Sequence, residues 1–233
     1  MLKRSGKMGH AAPESNSFSR NIMSLQCLVF DCDGVILDSV PVKTRAFGRL
    51  MEPFGPEARD RFLMYHKVHG GVSRYKKFEW FYEDVLGKTI TPEESEELGN
   101  RFAEYVLDEL RRCELIPGIQ ETLDSWRGKL PMFVCSGAPH EEVLAVLRER
   151  KLDGYFDAIH GSPPAKAVLL AQIVNRQKLD PADVLMVGDA PTDRDAAETV
   201  GTLFYGVGPE LKGGSFPWGD DLTGLNTWIA ARA

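Results

Sequence analysis

Along the chain the spacing of apolar residues changes period twice. Residues 25–30 form a nearly unbroken apolar run, the pattern of a strand buried on both faces. For about 80 residues after it the pattern is helical. Phe78, Phe81, Tyr82, Val85 and Leu86 fall at i, i+3, i+4, i+7 and i+8, an amphipathic face that Gly87 ends. Thr91-Pro92-Glu93-Glu94 then offers an N-cap, a proline at the first helical position and a capping-box glutamate. The helix it opens is expected to bury Leu98, Phe102, Val106 and Leu110. Ile116-Pro117-Gly118 breaks helicity, and strand-like runs at 130–135, 156–160 and 184–187 follow in an α/β rhythm. The pattern predicts an α/β core with a parallel sheet, made of residues 25–38 and 117–233, and an all-helical insertion over 39–116.

The strand-like runs share a second property: each ends in polar chemistry. The first stops at Asp31-Cys32-Asp33-Gly34. Residues two apart on a strand point to the same face, about 6–7 Å apart. Two acids so placed repel each other and call for a cation or a shared proton. Asp-Gly is also turn chemistry, so the pair alone leaves a solvated turn open. The run at 130–135 stops at Ser136-Gly137, that at 156–160 at Gly161-Ser162-Pro163-Pro164 with Lys166 beyond, and that at 184–187 at Gly188-Asp189 with Asp193 beyond. In open α/β sheets the carboxyl ends of parallel strands converge on one crevice, so these groups are expected to meet around a metal and an anion.

Two basic segments run against helix electrostatics. Lys166 is expected about three residues into a helix opened by Ser162-Pro163, where a cation opposes the dipole by about 0.3–1 kcal/mol; this points to a nearby anion, or else to a solvated lysine. In Gly70-Gly71-Val72-Ser73-Arg74-Tyr75-Lys76-Lys77, Ser73 is a candidate N-cap and three cations crowd the first turn. Free backbone N–H groups, a helix start and Arg74 fit a phosphate or carboxylate, with a solvated face as the other reading. Lys76 and Lys77 read as solvated, and His69 is in sequence range of the same site or is structural. Further on, Pro191 suits a first helical turn and Gly201 its end, so Asp195 and Glu198 read as helix chemistry.

Composition narrows the field. A net charge of −6 over 233 residues, with no basic stripe, argues against nucleic acid as the main partner. No apolar run reaches the roughly 18–20 residues of a membrane span. The four cysteines include no CxxC pair and read as reduced thiols of a cytoplasmic protein. No GxGxxG follows the first strand, which argues against a dinucleotide site. Residues 1–24 lack the apolar stretch of a secretory signal and are expected to be a disordered tail.

Taken together, Asp31-Cys32-Asp33-Gly34-Val35-Ile36-Leu37-Asp38-Ser39, Val134-Cys135-Ser136-Gly137, Lys166 and Gly188-Asp189-Ala190-Pro191-Thr192-Asp193 resemble the haloacid dehalogenase superfamily. The helical insertion is similar to the cap of its phosphoglycolate phosphatase and β-phosphoglucomutase branch. The resemblance implies a Rossmann-like core with an inserted cap, and a Mg²⁺-dependent phosphatase for a small phosphorylated metabolite, as monomer or homodimer. It implies Asp31 as nucleophile, Asp33 as acid and then base, Ser136 and the Gly137 backbone as phosphoryl donors, and Lys166 as the neutralising charge. Asp31, the Asp33 carbonyl and Asp189 would hold the metal, with Asp193 as a further ligand or as a partner orienting water. Gly71-Val72-Ser73-Arg74 is similar to the β-phosphoglucomutase segment whose arginine grips a distal phosphate, with His69 beside it. Lys43 stands where that branch's cap-linker histidine is expected, and Gly-Ser-Pro-Pro-Ala-Lys at 161–166 replaces Gly-Lys-Pro-x-Pro. A phosphomutase and a non-catalytic phospholigand-binding module are the alternative readings.

Overall fold

The computed structural model describes residues 24–233, so the expectation for the N-terminal tail lies outside the described residues, Ser24 apart. Six parallel strands form one sheet: β1 (Cys27–Phe30), β2 (Met132–Pro139), β3 (Ala158–Ser162), β4 (Val184–Gly188), β5 (Leu203–Val207) and β6 (Trp218–Gly219), in the order β3-β2-β1-β4-β5-β6. The central strands β1 and β4 are buried throughout and carry no polar side chain because the sheet is covered on both faces. Leu28 and Phe30 point into one cluster, with Val143 and Leu147 of α6 (His140–Glu149), Ile119 and Leu123 of α5 (Ile119–Trp126) and Ile229 of α9 (Leu225–Ala230). Cys27 and Val29 point the other way, toward Leu170 and Ile173 of α7 (Lys166–Gln177) and Ala196 and Ala197 of α8 (Pro191–Val200). β1 lies between β2 and β4, at the point where strand order reverses; crevices of α/β sheets open there.

Between β1 and α5 the chain forms α1 (Val40–Met51), α2 (Pro56–Val68), α3 (Arg74–Trp80) and α4 (Pro92–Leu110). Their shared interior is aromatic. Phe47 and Phe102 stack with centroids 4.1 Å apart, and Phe62 packs against Phe47, Phe78 and Phe81. The expected capping box is present, with Glu94 N donating to Thr91 Oγ1 and Thr91 N donating to Glu94 Oε2. Leu98, Phe102, Val106 and Leu110 are buried as the periodicity predicts. The chain leaves and re-enters the sheet through two adjacent segments joined to each other, Asp38 N donating to Glu114 O (2.9 Å) and Ile116 N to Ile36 O (3.1 Å).

Three local expectations shift. Ser136 and Gly137 lie inside β2, where the pairing with β3 changes register, and not just past its end. Ser73 holds the N-cap position of α3 without a side-chain cap bond. Lys166 is the first residue of α7. Ser162 and Pro163 each precede a proline and are disfavoured from helical backbone, so the helix begins only after Ala165. No helix among the described residues is long and apolar enough to cross a membrane.

Phe62 is fully buried among three aromatic rings. Phe62→Ala is expected to lower unfolding free energy by about 3–5 kcal/mol, read from the urea midpoint at unchanged m-value.

Candidate active site

Asp31 is the first residue beyond β1 and stays in register, its N–H donating to Val187 O on β4 (2.9 Å). Its carboxylate is buried: Oδ1 accepts from Cys32 N (2.7 Å) and Oδ2 from Lys166 Nζ (2.6 Å). Lys166 also donates to Asp193 Oδ1 (2.5 Å). Asp189 follows β4 directly, and Asp31, Asp189 and Asp193 each bring an oxygen within 4.8 Å of the others. Asp193 is oriented by Ala190 N, which donates to its Oδ2 (3.1 Å).

Three carboxylates around one ammonium leave an excess of negative charge in a dry place. Burial, with the charges of Asp193 and Asp33, pushes the Asp31 carboxyl up to about 7 despite Lys166. Burial and the charges of Asp31 and Asp193 drive Asp189 well above the usual carboxylate range. Burial works against the Lys166 charge, yet Asp193 and Asp31 hold it well above an ordinary lysine. An all-oxygen, over-acidic cluster fits a hard divalent cation, and the backbone is shaped to admit it. Gly34 has φ +75°, and a Cβ there would stand 2.0 Å from Asp189 Oδ2, so only glycine lets the Asp33–Gly34 turn come this close.

Asp33 behaves differently. Burial raises it, but Lys43 Nζ donates to Oδ2 (2.6 Å) and Ser39 Oγ to Oδ1 (2.5 Å), and these hold it below the usual carboxylate range. Ser136 is buried on β2 beside β1, its Oγ accepting from Ala138 N (3.1 Å). The loop after α2 rests on this assembly. Thr192 Oγ1 donates to Gly70 O (3.1 Å), and a Cβ on Gly137 would meet Gly71 O at 2.1 Å.

A cavity of about 760 Å³ runs from Asp31, Asp33, Asp189 and Gly137 up between the helices of the insertion. Arg74 lines it, but its guanidinium is already engaged: both Glu142 oxygens accept from it (2.6 and 2.7 Å), and it stacks over Phe102 at 4.4 Å. His69 does not line this cavity, contrary to expectation. It follows α2, its ring stacks on Tyr65 at 3.9 Å with Nδ1 bonded to Tyr65 O, and it faces a separate groove with Trp80. Lys77, expected in solvent, is buried in the cavity wall beside His66 (2.8 Å), whereas Lys76 is outside and pairs with Glu79. Lys77 follows Arg74 by three residues, so the helical period alone places both on one face. No sequence signal marks Glu142, which meets Arg74 only through the fold.

The chain belongs to the haloacid dehalogenase-like hydrolase family, whose model matches residues 25–201. It is 25% identical over 187 residues to a phosphoglycolate phosphatase of Synechococcus elongatus, covering 78% of this chain and 84% of that one. To a phosphorylated carbohydrates phosphatase of Thermotoga maritima it is 26% identical over 205 residues, covering 82% and 88%. Its fold is similar to the crystal structure of a β-phosphoglucomutase from Clostridium difficile, with TM-score 0.75, 20% identity and coverage of 89% and 96%.

Burial pushes Lys77 down to about 7, helped by the nearby charge of Lys43. Between about pH 7 and 10.5 the unfolded chain therefore binds the extra proton, and Lys77's penalty on the fold is full below that window and fades as pH rises through it. Lys77→Met is accordingly expected to shift Tm upward by more at pH 6.5 than at pH 9.5, measured by thermal melts of both proteins in matched buffers. Equal shifts at the two pH values would contradict this.

Proposed function

We propose that this hydrolase is a Mg²⁺-dependent phosphatase acting on a small phosphorylated metabolite, through an aspartyl-phosphate on Asp31. The observation that carries the reading is a buried carboxylate at the end of the central strand, clamped by Lys166 and crowded by two further acids. The names of the two relatives, a phosphoglycolate phosphatase and a phosphorylated carbohydrates phosphatase, support the same reaction class. The free thiols of Cys27, Cys32, Cys113 and Cys135 agree with a cytoplasmic setting.

In this reading an Asp31 oxygen attacks phosphorus, the bond from phosphorus to the leaving oxygen breaks, and that oxygen takes a proton from the Asp33 carboxyl. Lys166, the Ser136 hydroxyl and the Gly137 N–H neutralise and hold the phosphoryl oxygens. Water then attacks the acyl phosphate, releasing inorganic phosphate and restoring the Asp31 carboxylate. Asp33, kept ionised by Lys43 and Ser39, is prepared to take the proton from that water. Its earlier role as acid requires substrate to displace the Lys43 contact. Mg²⁺, held by Asp31, Asp189 and the Asp33 carbonyl with Asp193 beside them, supplies Lewis-acid polarisation of the phosphoryl group. The helices between residues 39 and 116 act as a cap that excludes water and selects the leaving group.

Phosphate release from a panel of phosphorylated metabolites tests this, with β-glucose 1-phosphate included to separate free phosphate from glucose 6-phosphate. Asp31→Asn is expected to lose at least about 10³-fold in kcat, since removing a covalent nucleophile leaves only binding and electrostatic assistance. Turnover preserved in the variant would remove the proposed nucleophile. Chelation is expected to abolish wild-type turnover and added Mg²⁺ to restore it.

A further inference from the structure

Four buried or half-buried cations border the cavity or its floor, and three have a carboxylate; Arg45 and Lys67 also line it, from exposed positions. Lys166 holds Asp31 and Asp193, Lys43 holds Asp33, and Arg74 holds Glu142. Lys77 is the exception: only 3% exposed, it has no carboxylate within ion-pair distance among the described residues. The charges of Lys43 and Lys166 also bear on it, and the more distant Asp33 and Asp189 do not make up for its burial. A buried ammonium without a counter-charge is costly, so its natural complement is an anion that arrives from outside.

The surroundings hold Lys77 in place without neutralising it. Thr44 Oγ1 donates to Val40 O (2.9 Å), so it accepts from His66 Nε2 (3.2 Å), which leaves His66 Nδ1 bare to accept from Lys77 (2.8 Å). Burial and the Lys77 and Lys43 charges push His66 down to about 3, so the ring stays neutral. One ammonium hydrogen is thereby used and two are without a protein acceptor among the described residues. Phe47, Val72 and Phe102 give the same wall apolar surface, which keeps water from screening a contact there. Arg74 is already engaged by the protein, its Nη2 donating to both Glu142 oxygens and its Nη1 to Gly99 O (3.4 Å).

We infer that Lys77 receives a second anionic group, a carboxylate or a second phosphate, carried on the leaving half of the substrate. This rests on the phosphatase reading above and sharpens it: the enzyme selects phosphorylated organic acids or bisphosphorylated metabolites over esters whose leaving group is neutral. Lys77 is then a specificity-determining residue, and Arg74 a structural one.

Matched substrates test it. 3-Phosphoglycerate and glycerol 3-phosphate differ by carboxylate against alcohol; fructose 1,6-bisphosphate and fructose 6-phosphate differ by the second phosphate. Wild type is expected to favour the anion-bearing member of one pair by about 10–100-fold in kcat/KM, and the pair concerned identifies the anion. Lys77→Met and Lys77→Gln, each checked for a cooperative melt, are expected to reduce that preference to about threefold or less, chiefly through KM. No preference in wild type, or equal losses on both members, overturns the inference. Calorimetry on Asp31→Asn protein separates the two claims. If no monoester is hydrolysed by wild type, the phosphatase reading fails; the anion site still stands if one anion-bearing compound binds at least about tenfold tighter than its partner and loses this with Lys77→Met. Binding indifferent to Lys77 overturns the site.

Discussion

The double contact from Lys166 to Asp31 and Asp193 holds the centre of this molecule together. Three carboxylates within 4.8 Å, two of them buried and the third half-buried, would repel each other out of any compact arrangement, and a single ammonium between two of them makes the cluster tolerable. Its surplus of negative charge is what a divalent cation would complete. The fold assembles this contact from far apart in the chain: Asp31 ends the central strand, Lys166 opens α7 and Asp193 lies in the first turn of α8. Parallel strand order makes such a meeting natural, since successive strand ends arrive at the same edge.

Above that edge, charge is distributed unevenly. The floor is acidic, while the wall supplied by α1, α2 and α3 carries Lys43, Lys77 and Arg74 against aromatic packing. A phosphate ester entering between them would meet a metal-binding floor and a cationic wall. The two halves therefore divide the work in the proposed enzyme, reaction below and discrimination above.

Much of this was legible in the residues. The strands could be read because a strand covered on both faces must be apolar continuously, and the acids because they interrupt such runs at their carboxyl ends. The capping box at Thr91 was legible because it is purely local. What escaped depended on neighbours distant in sequence. His69 stands beside the glycines after it in sequence, yet a stack on Tyr65 turns its ring away. Arg74 looked free because Glu142, its partner, lies 68 residues on. Lys77 looked solvated because lysine usually is, and only the packing of α2 against α3 brings His66 to it. α7 starts later than the residue pattern suggests for a local reason, two prolines that hold the preceding backbone extended.

The strands of chain that tie the helical insertion to the sheet run side by side and are bonded to each other at Asp38–Glu114 and Ile36–Ile116. Two separate tethers would let the upper half tilt, slide or twist in several directions. Fastened together they make a single junction, so any opening of the proposed cap would leave its distance from the floor at that edge unchanged. Such an opening would widen access from the side opposite the junction.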